Sequence, residues 1–289
     1  MSIVSTPPEL PGTRRLPSTS PAASDLDLTP VSRPALVWAL SDIVQLTKRS
    51  LLHIRRDPDQ LVSVSLQPVI LVIMFRYLFG GAISTGSKES YINFLMAGIL
   101  IETAALSATA TSTAVAVDML SGAMDRFRAL PIANSAVLAG HVLADLARAA
   151  LGMAVMVAVG LAVGFRPEAG PAGWLGALAL TFLVTFALSW MAACIGLLGS
   201  SAEAVQQYGM VLILPIFFSS AFVPTGTMPG WLRVVAENQP MTQAIDAVRA
   251  LLLDQPSGNH IPATLLWFTG LSAVCVAIAG MLFKARTKT

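Results

Sequence analysis

The chain has 289 residues, of which 55% are hydrophobic and only 12% are charged, and its mean hydropathy is +0.70. Soluble domains carry about 25% charged residues, so this composition is typical of an integral membrane protein. The net charge of +2 excludes a nucleic-acid-binding protein, which concentrates basic side chains on one face. Six membrane spans would use about 120 residues, so no soluble catalytic domain fits. We therefore expect an all-α integral membrane protein.

Two segments precede the predicted spans. Residues 1–34 are predicted to be a disordered cytoplasmic tail, because seven of the 18 prolines fall there among Ser, Thr and Asp. Residues 35–57 are predicted to form an interfacial amphipathic helix, with an apolar stripe on one side and basic residues, including Arg55 and Arg56, on the other. Its basic face either attracts anionic lipid headgroups or docks on a partner protein.

Residues 58–289 are predicted to contain six transmembrane helices, each an apolar run long enough to cross a bilayer. The predicted spans are 61–80, 91–116, 139–164, 172–198, 200–223 and 263–283. The spacing of Ser200 and Glu203 predicts a helix cap at the start of the fifth span, and Pro215 predicts a kink within it.

Two connecting regions are not predicted to be membrane spans. Residues 117–137 carry four charges and are predicted to be a loop with a short helix. Residues 225–261 are amphipathic and are interrupted by prolines, so two short helices are expected to begin near Pro229 and Pro240, since proline is favoured in a first helical turn.

Basic residues predict the orientation of the chain. If both termini are cytoplasmic, residues 1–60, 117–148 and 284–289 hold 13 of the 18 Lys and Arg residues. Cytoplasmic loops are enriched in these residues, so the sequence predicts a multi-pass protein with its N-terminus and its C-terminus inside.

Glu102 is the most informative charge in the predicted spans. An ionised side chain near the bilayer centre costs about 2.5–3.5 kcal/mol on insertion scales, so it must face protein, water or a ligand. Glu102 is therefore a candidate for a proton relay or for the substrate pathway. The alternative is solvation near the outer surface or pairing with Arg76.

Other polar groups have structural interpretations. His141, Asp145 and Arg148 share one helical face, which favours polar contacts between helices over acid-base chemistry. Asp246 and Arg249 are predicted to form a local ion pair.

No cofactor or metal site is predicted. The three histidines lack Cys or carboxylate partners at metal-ligand spacing. The loop at 81–88 resembles a phosphate-binding loop, but Ser87 separates its second glycine from Lys88, and the loop joins two spans instead of a strand and a helix.

Two stretches carry a family resemblance. The first is Asp125-Arg126-Phe127-Arg128-Ala129-Leu130-Pro131-Ile132 and the second is Met228-Pro229-Gly230-Trp231-Leu232-Arg233, which is followed by Asn238-Gln239-Pro240 and Ala247-Val248-Arg249. With these motifs the chain, from about residue 35 to its end, resembles the integral-membrane subunits of ABC-2 type exporters, and within them the daunorubicin-resistance permease group.

The resemblance implies a bacterial plasma (inner) membrane permease that dimerises, with itself or a homologous permease, and binds separate ABC ATPase subunits. ATP and Mg²⁺ are then bound by the partner, and this chain has no catalytic residue. The implied ATPase contacts are the amphipathic helix with Arg55 and Arg56 and a coupling helix carrying Asp125, Arg126, Phe127, Arg128 and Pro131. An outer re-entrant helix pair between spans five and six would carry Pro229, Trp231, Arg233, Pro240 and Arg249.

The resulting hypothesis is a permease subunit of an ATP-driven exporter, embedded among membrane lipids. Its substrate would be a hydrophobic or amphipathic small molecule, such as an anthracycline-like drug, a polyketide or a lipid. One alternative is a proton-coupled secondary transporter using Glu102, against which stands the scarcity of intramembrane charge. The other is a membrane-embedded transferase using His141 and Asp145, which would need a second convergent polar cluster.

Overall fold

The computed structural model describes residues 58–80, 90–120 and 134–286, with only the backbone described at 58–65, 134–137, 284 and 286. All regular elements in these residues are helices, which confirms the all-α class. In chain order they are α1 (Pro58–Met74), α2 (Tyr91–Leu120), α3 (Asn134–Val163), α4 (Pro171–Leu198), α5 (Ala202–Gly209), α6 (Leu214–Phe217), α7 (Gly230–Asn238), α8 (Pro240–Leu252) and α9 (His260–Arg286). The predicted tail, amphipathic helix and coupling helix lie outside the described residues.

Four helices in the described ranges are long and apolar enough to cross a membrane. They cover Tyr91–Leu120, Leu138–Val163, Pro171–Leu198 and His260–Phe283, in the regions of the second, third, fourth and sixth predicted spans. Shorter apolar helices, Leu66–Phe79 and Ala202–Phe217, lie where the first and fifth spans are predicted. The count of six spans therefore stays a prediction.

Helix α1 ends in a wider turn. Its α-helical part stops at Met74, and residues Phe75–Phe79 continue as a π-helix that contains Arg76. The first predicted span, 61–80, lies within this continuous helical stretch.

Helix α2 is longer than the second predicted span. It continues to Leu120, so residues 117–120 are helical, and the prediction of a loop from residue 117 was wrong at this end. The predicted loop began at 117 because of Asp118. In the fold, Oδ2 of Asp118 lies 2.9 Å from Nε2 of His141 on α3, and this partner offsets the cost of carrying a carboxylate on the helix.

The fifth predicted span is a broken helix. After α5, a 3-10 turn at Met210–Leu212 precedes α6, which ends at Phe217 instead of residue 223. Proline lacks an N–H, and its ring clashes with the carbonyl four residues earlier, so Pro215 disrupts the turn that contains Val211. The helix cap is Ser201, whose Oγ accepts a hydrogen bond of 3.2 Å from the N–H of Ala204, and not Ser200.

Helix α2 lies at the centre of the bundle. It contacts α1, α3, α4, α5 and α8, and 78% of its most apolar stretch is buried. Glycines of α2 and its neighbours permit close packing. A Cβ at Gly98 would lie 2.6 Å from the carbonyl oxygen of Ala221, and one at Gly196 would lie 2.5 Å from that of Ser112. Substituents at either position would therefore force backbones apart.

Two short helices, α7 and α8, lie between α6 and α9. Pro229 is the residue that precedes α7, and Pro240 is the first residue of α8. Helix α8 packs on α2, α4 and α9. Whether the pair enters a membrane from the outside stays a prediction.

Candidate functional site

A buried polar network joins α2, α3 and α4 at Asp145. The carboxylate is fully buried and accepts hydrogen bonds from Ser107 on α2, through Oδ1, and from Ser189 on α4, through Oδ2. Nη1 of Arg148, one turn along α3, donates to the same Oδ1 at 3.0 Å. Buried charges are tolerated when they are paired and hydrogen-bonded, so this network connects three helices through one acid.

His141 is not part of that network, because it pairs with Asp118. The face shared by His141, Asp145 and Arg148 is thus divided between two contacts with α2. This arrangement agrees with the predicted structural role, and it does not bring His141 and Asp145 together as an acid-base pair.

A cavity of about 510 Å³ lies beside α2. Ten residues from α1, α2, α3 and the broken helix line it: Gln67, Leu106, Thr109, Ala110, Thr113, Ala114, Arg148, Gln206, Met210 and Ile213. Ligand sites are commonly clefts of roughly 300–1,000 Å³ with apolar walls and a few polar groups. This cavity matches that description in size, and half of its lining residues are apolar.

The cavity has an inner wall and an open side. Arg148 and the α2 residues are partly buried, whereas Gln67, Gln206 and Met210 are exposed on the flank of the bundle. The α2 lining residues occupy positions 106–114, in the C-terminal half of that helix. Among the described residues, the cavity is therefore accessible from the side, between α1 and the broken helix.

Glu102 lies on the same stripe of α2 as three cavity residues. At 100° per residue, Glu102, Leu106, Thr109 and Thr113 fall within about 60° of one another, which puts Glu102 one turn beyond the cavity. Its side chain is fully buried, and neither carboxylate oxygen has a hydrogen-bond partner among the described residues. The predicted alternative of pairing with Arg76 or being solvated is therefore not observed.

A second polar cluster closes the opposite end of the bundle around Arg249 on α8. The predicted ion pair with Asp246 is present, and Ser220 Oγ also donates to that carboxylate at 2.7 Å. Nε of Arg249 donates to the carbonyl of Phe94 at 3.0 Å, and Nη2 donates to the carbonyl of Ser220 at 2.6 Å. One guanidinium thus connects α8, α2 and the segment after α6.

The segment after α6 is irregular, and side chains satisfy its carbonyls. Besides Arg249 at Ser220, Gln239 donates to the carbonyl of Phe218 at 2.6 Å, and the hydroxyl of Tyr91 donates to that of Phe222 at 2.7 Å. Irregular backbone at membrane depth is tolerated only where protein or water satisfies its polar groups. Three side chains do so here.

The other residues predicted for the outer helix pair lie on its surface. Trp231 is 73% exposed, and Arg233 forms an exposed ion pair of 2.7 Å with Glu237. The hydrogen bond from Arg233 holds the pKa of Glu237 below its usual value. These side chains are available to lipid, water or a partner.

The predicted ATPase-coupling residues lie outside the described residues. They are Arg55, Arg56, Asp125, Arg126, Phe127, Arg128 and Pro131. Within the described ranges, no three His, Cys, Asp or Glu side chains lie together as metal ligands would.

Sequence reasoning missed most of the cavity. The predicted site residues do not include Gln67, Thr109, Thr113 or Gln206. The available signal was the unusual density of hydroxyl residues in the second apolar run, which holds six Ser or Thr residues between 103 and 113.

Comparison with known proteins identifies relatives of this chain. Residues 41–253 match the family model described as ABC-2 type transporter. The chain is 33% identical over 277 residues, or 95% of this chain and 97% of the relative, to the daunorubicin resistance ABC transporter permease protein DrrB1 of Streptomyces coeruleorubidus. It is 25% identical, over 88% of this chain and 93% of the relative, to the "Probable doxorubicin resistance ABC transporter permease protein DrrC" of Mycobacterium tuberculosis.

Proposed function

The chain belongs to the ABC-2 type transporter family, and we propose that it is the permease subunit of an ATP-driven exporter of hydrophobic or amphipathic compounds. Its relatives are permease subunits, which are not themselves catalytic, so hydrolysis falls to a separate ABC ATPase. The observation that carries the proposal is the cavity beside α2. Its apolar wall residues and its arginine suit a ligand with an apolar body and a polar end, and its open side suits entry from a membrane.

The names of the relatives support the substrate class. Both relatives named above are called resistance permeases, for daunorubicin and for doxorubicin. A drug-like amphiphile is therefore the first substrate class to test for this chain, with polyketides and lipids as the others. Export is the direction that confers resistance.

We further place the chain in a bacterial inner membrane with six spans and both termini in the cytoplasm. The charge distribution supports this orientation, as does the presence of four long and two shorter apolar helices in the described residues. In this orientation α2 runs from the outer surface inward, so the cavity lies in the cytoplasmic half and the Arg249 cluster at the outer end.

Cysteine labelling tests that orientation. Cysteines placed near Lys88 and near Gly258 should react with an impermeant thiol reagent added outside, because both positions fall in predicted outer loops. Cysteines near Gly122 and Lys288 should not react until the membrane is permeabilised. Labelling of the last two in intact cells would contradict the topology.

Coupling to the ATPase is proposed to use the amphipathic helix with Arg55 and Arg56 and the segment 125–131, in a dimer of this permease with itself or a homologue. Phe127 is the proposed anchor, because interface cores favour aromatic and arginine side chains and Phe127 lies between Arg126 and Arg128. Phe127→Ala should cost about 2 kcal/mol of binding free energy, or about 30-fold in affinity. Unchanged copurification of the ATPase would reject the anchor.

Reconstitution tests the function itself. The permease and its candidate ATPase in proteoliposomes should hydrolyse ATP faster when an amphipathic drug is added, and should move the drug only when ATP and Mg²⁺ are on the cytoplasmic side. A Walker-motif variant of the ATPase is the matched control. Drug movement at equal rates with that variant would contradict an ATP-driven mechanism.

The buried carboxyl of Glu102 keeps one alternative open, a proton-coupled transporter. That mechanism predicts drug movement driven by a pH gradient in proteoliposomes that contain no ATPase, and loss of this movement in Glu102→Gln. The transferase alternative has less support, since His141 and Asp145 have separate partners.

A further inference from the structure

Arg148 lines the cavity beside α2 and carries hydrogen-bond donors that have no acceptor among the described residues. A guanidinium has five N–H donors, and the described residues show one of its nitrogens in use, Nη1, which donates to Asp145 at 3.0 Å. Its Nε is buried and has no partner among the described residues. The side chain is 12% exposed and lines the cavity, so an acceptor that enters the cavity would meet the remaining terminal N–H groups of the guanidinium and not the buried Nε.

Asp145 positions the guanidinium and does not compete for a ligand. Its side chain is fully buried, and both of its oxygens already accept hydrogen bonds, from Ser107 and Arg148 at one oxygen and from Ser189 at the other. A ligand in the cavity therefore meets Arg148 and not the carboxylate behind it. Asp145 is a positioning residue, and Arg148 is the group that faces the ligand.

The rest of the lining favours an anion with an apolar body. None of the ten lining residues is acidic. The hydroxyls of Thr109 and Thr113 already donate to backbone carbonyls, so the neutral donors left are the amides of Gln67 and Gln206. The remaining walls are aliphatic, formed by Leu106, Ala110, Ala114, Met210 and Ile213.

From this lining we infer that the cavity binds the acidic group of an anionic amphiphile, a carboxylate or phosphate on an apolar body, with Arg148 as its binding residue. The apolar body would leave through the open side between α1 and the broken helix. This inference names the substrate class of the proposed exporter and rests on that proposal. Charge-assisted hydrogen bonds are the strongest available in such a site, so the acid sets the preference and the aliphatic walls accept varied bodies.

The test measures binding to the purified full chain in a neutral detergent, by displacement of a fluorescent anthroyloxy-stearate. Competitors share one dodecyl chain and differ in headgroup: dodecanoate, dodecyl phosphate, dodecanol and dodecylamine. The two acids should displace the probe at concentrations about tenfold lower than the alcohol or the amine, the discrimination expected of one charged hydrogen bond. Acetate and inorganic phosphate at the same concentrations should displace none.

Arg148→Gln should abolish the preference for acids. Because this change leaves Asp145 without its cation, the double variant Asp145→Asn with Arg148→Gln removes both charges together, and it should also show no preference. Arg166→Gln is the matched control, since Arg166 is an exposed arginine whose Nη1 donates to the carbonyls of Leu161 and Phe165. It should bind acids like the unmodified chain.

Four results would overturn the inference. They are equal displacement by all four dodecyl compounds, preference for the amine, a preference for acids that survives in both Arg148 variants, and displacement by acetate or phosphate as effective as by the amphiphiles. The assay contains no ATPase, so it is independent of the proposed function. Loss of ATP-driven export with an intact preference for acids would reject the exporter and leave the site.

Discussion

Arg249 is the side chain whose loss should most destabilise the second polar cluster, which joins α8, α2 and the segment after α6. It is 9% exposed, it donates to the carbonyls of Phe94 and Ser220, and it pairs with Asp246. Its guanidinium carbon also lies 3.8 Å from the centre of the Phe94 ring. Arg249→Met keeps an apolar stem of similar length and removes all of these polar contacts.

The magnitude follows from the contacts removed. A hydrogen bond to a charged group contributes about 1.5–3 kcal/mol, and removing one partner of a buried ion pair costs about 3–5 kcal/mol. These terms overlap, because Asp246 keeps its bond from Ser220, and the methionine stem retains packing. We expect Arg249→Met to lower the free energy of unfolding by about 3 kcal/mol. Adding Asp246→Asn should recover about 1 kcal/mol, because it removes the charge left unpaired.

Reversible unfolding in mixed detergent micelles, followed by near-ultraviolet circular dichroism, measures these differences. The matched control is Arg233→Met, which breaks an ion pair of similar geometry whose two side chains are 52% and 43% exposed. Exposed pairs of this kind contribute little to stability, because water and salt screen them. If Arg249→Met and Arg233→Met cost the same, the reasoning that burial makes Arg249 important is refuted.

Two further predictions concern α2 and its neighbours. Gly98→Ala should destabilise the protein by about 1–3 kcal/mol, because the new methyl would meet the backbone of Ala221. The control is Gly270→Ala on α9, where a methyl has open space and should change the unfolding free energy by less than about 1 kcal/mol. Equal losses in the same unfolding assay would contradict the close contact at Gly98. Glu102→Gln should leave expression and assembly intact and alter transport more than Glu168→Gln, a change in the exposed loop before α4, and equal transport by the two variants would remove Glu102 from the candidate site.

Much of the fold follows from local signals in the sequence. Long apolar runs predicted α4 to within one residue, since the predicted 172–198 became Pro171–Leu198. Prolines predicted where α7 and α8 begin, because the missing N–H of proline belongs where a helix has no acceptor for it. Patterns of charge and hydropathy extend over one or two helical turns, so they predict individual helices without information on which helices pack together.

The site depends on contacts between helices that are far apart in the sequence, and local sequence patterns do not predict such contacts. Sequence spacing grouped His141 with Asp145 on one face, but their partners come from α2 and α4, at positions 107, 118 and 189. Asp118 was interpreted as a sign of a loop because its partner was unknown. The break at Met210–Leu212 was predicted only as a kink, because the number of turns that a proline disrupts depends on the packing around it.

The irregular segment after α6 depends on side chains, and not on helical backbone bonds, to satisfy its carbonyls. Inside a helix, a carbonyl exchanges its bond for water only if the turn unwinds. The carbonyls of Phe218, Ser220 and Phe222 are instead held by side chains from three other places in the fold. Water can replace each of these donors separately, so this segment can exchange its hydrogen-bond partners one at a time without unwinding a helix.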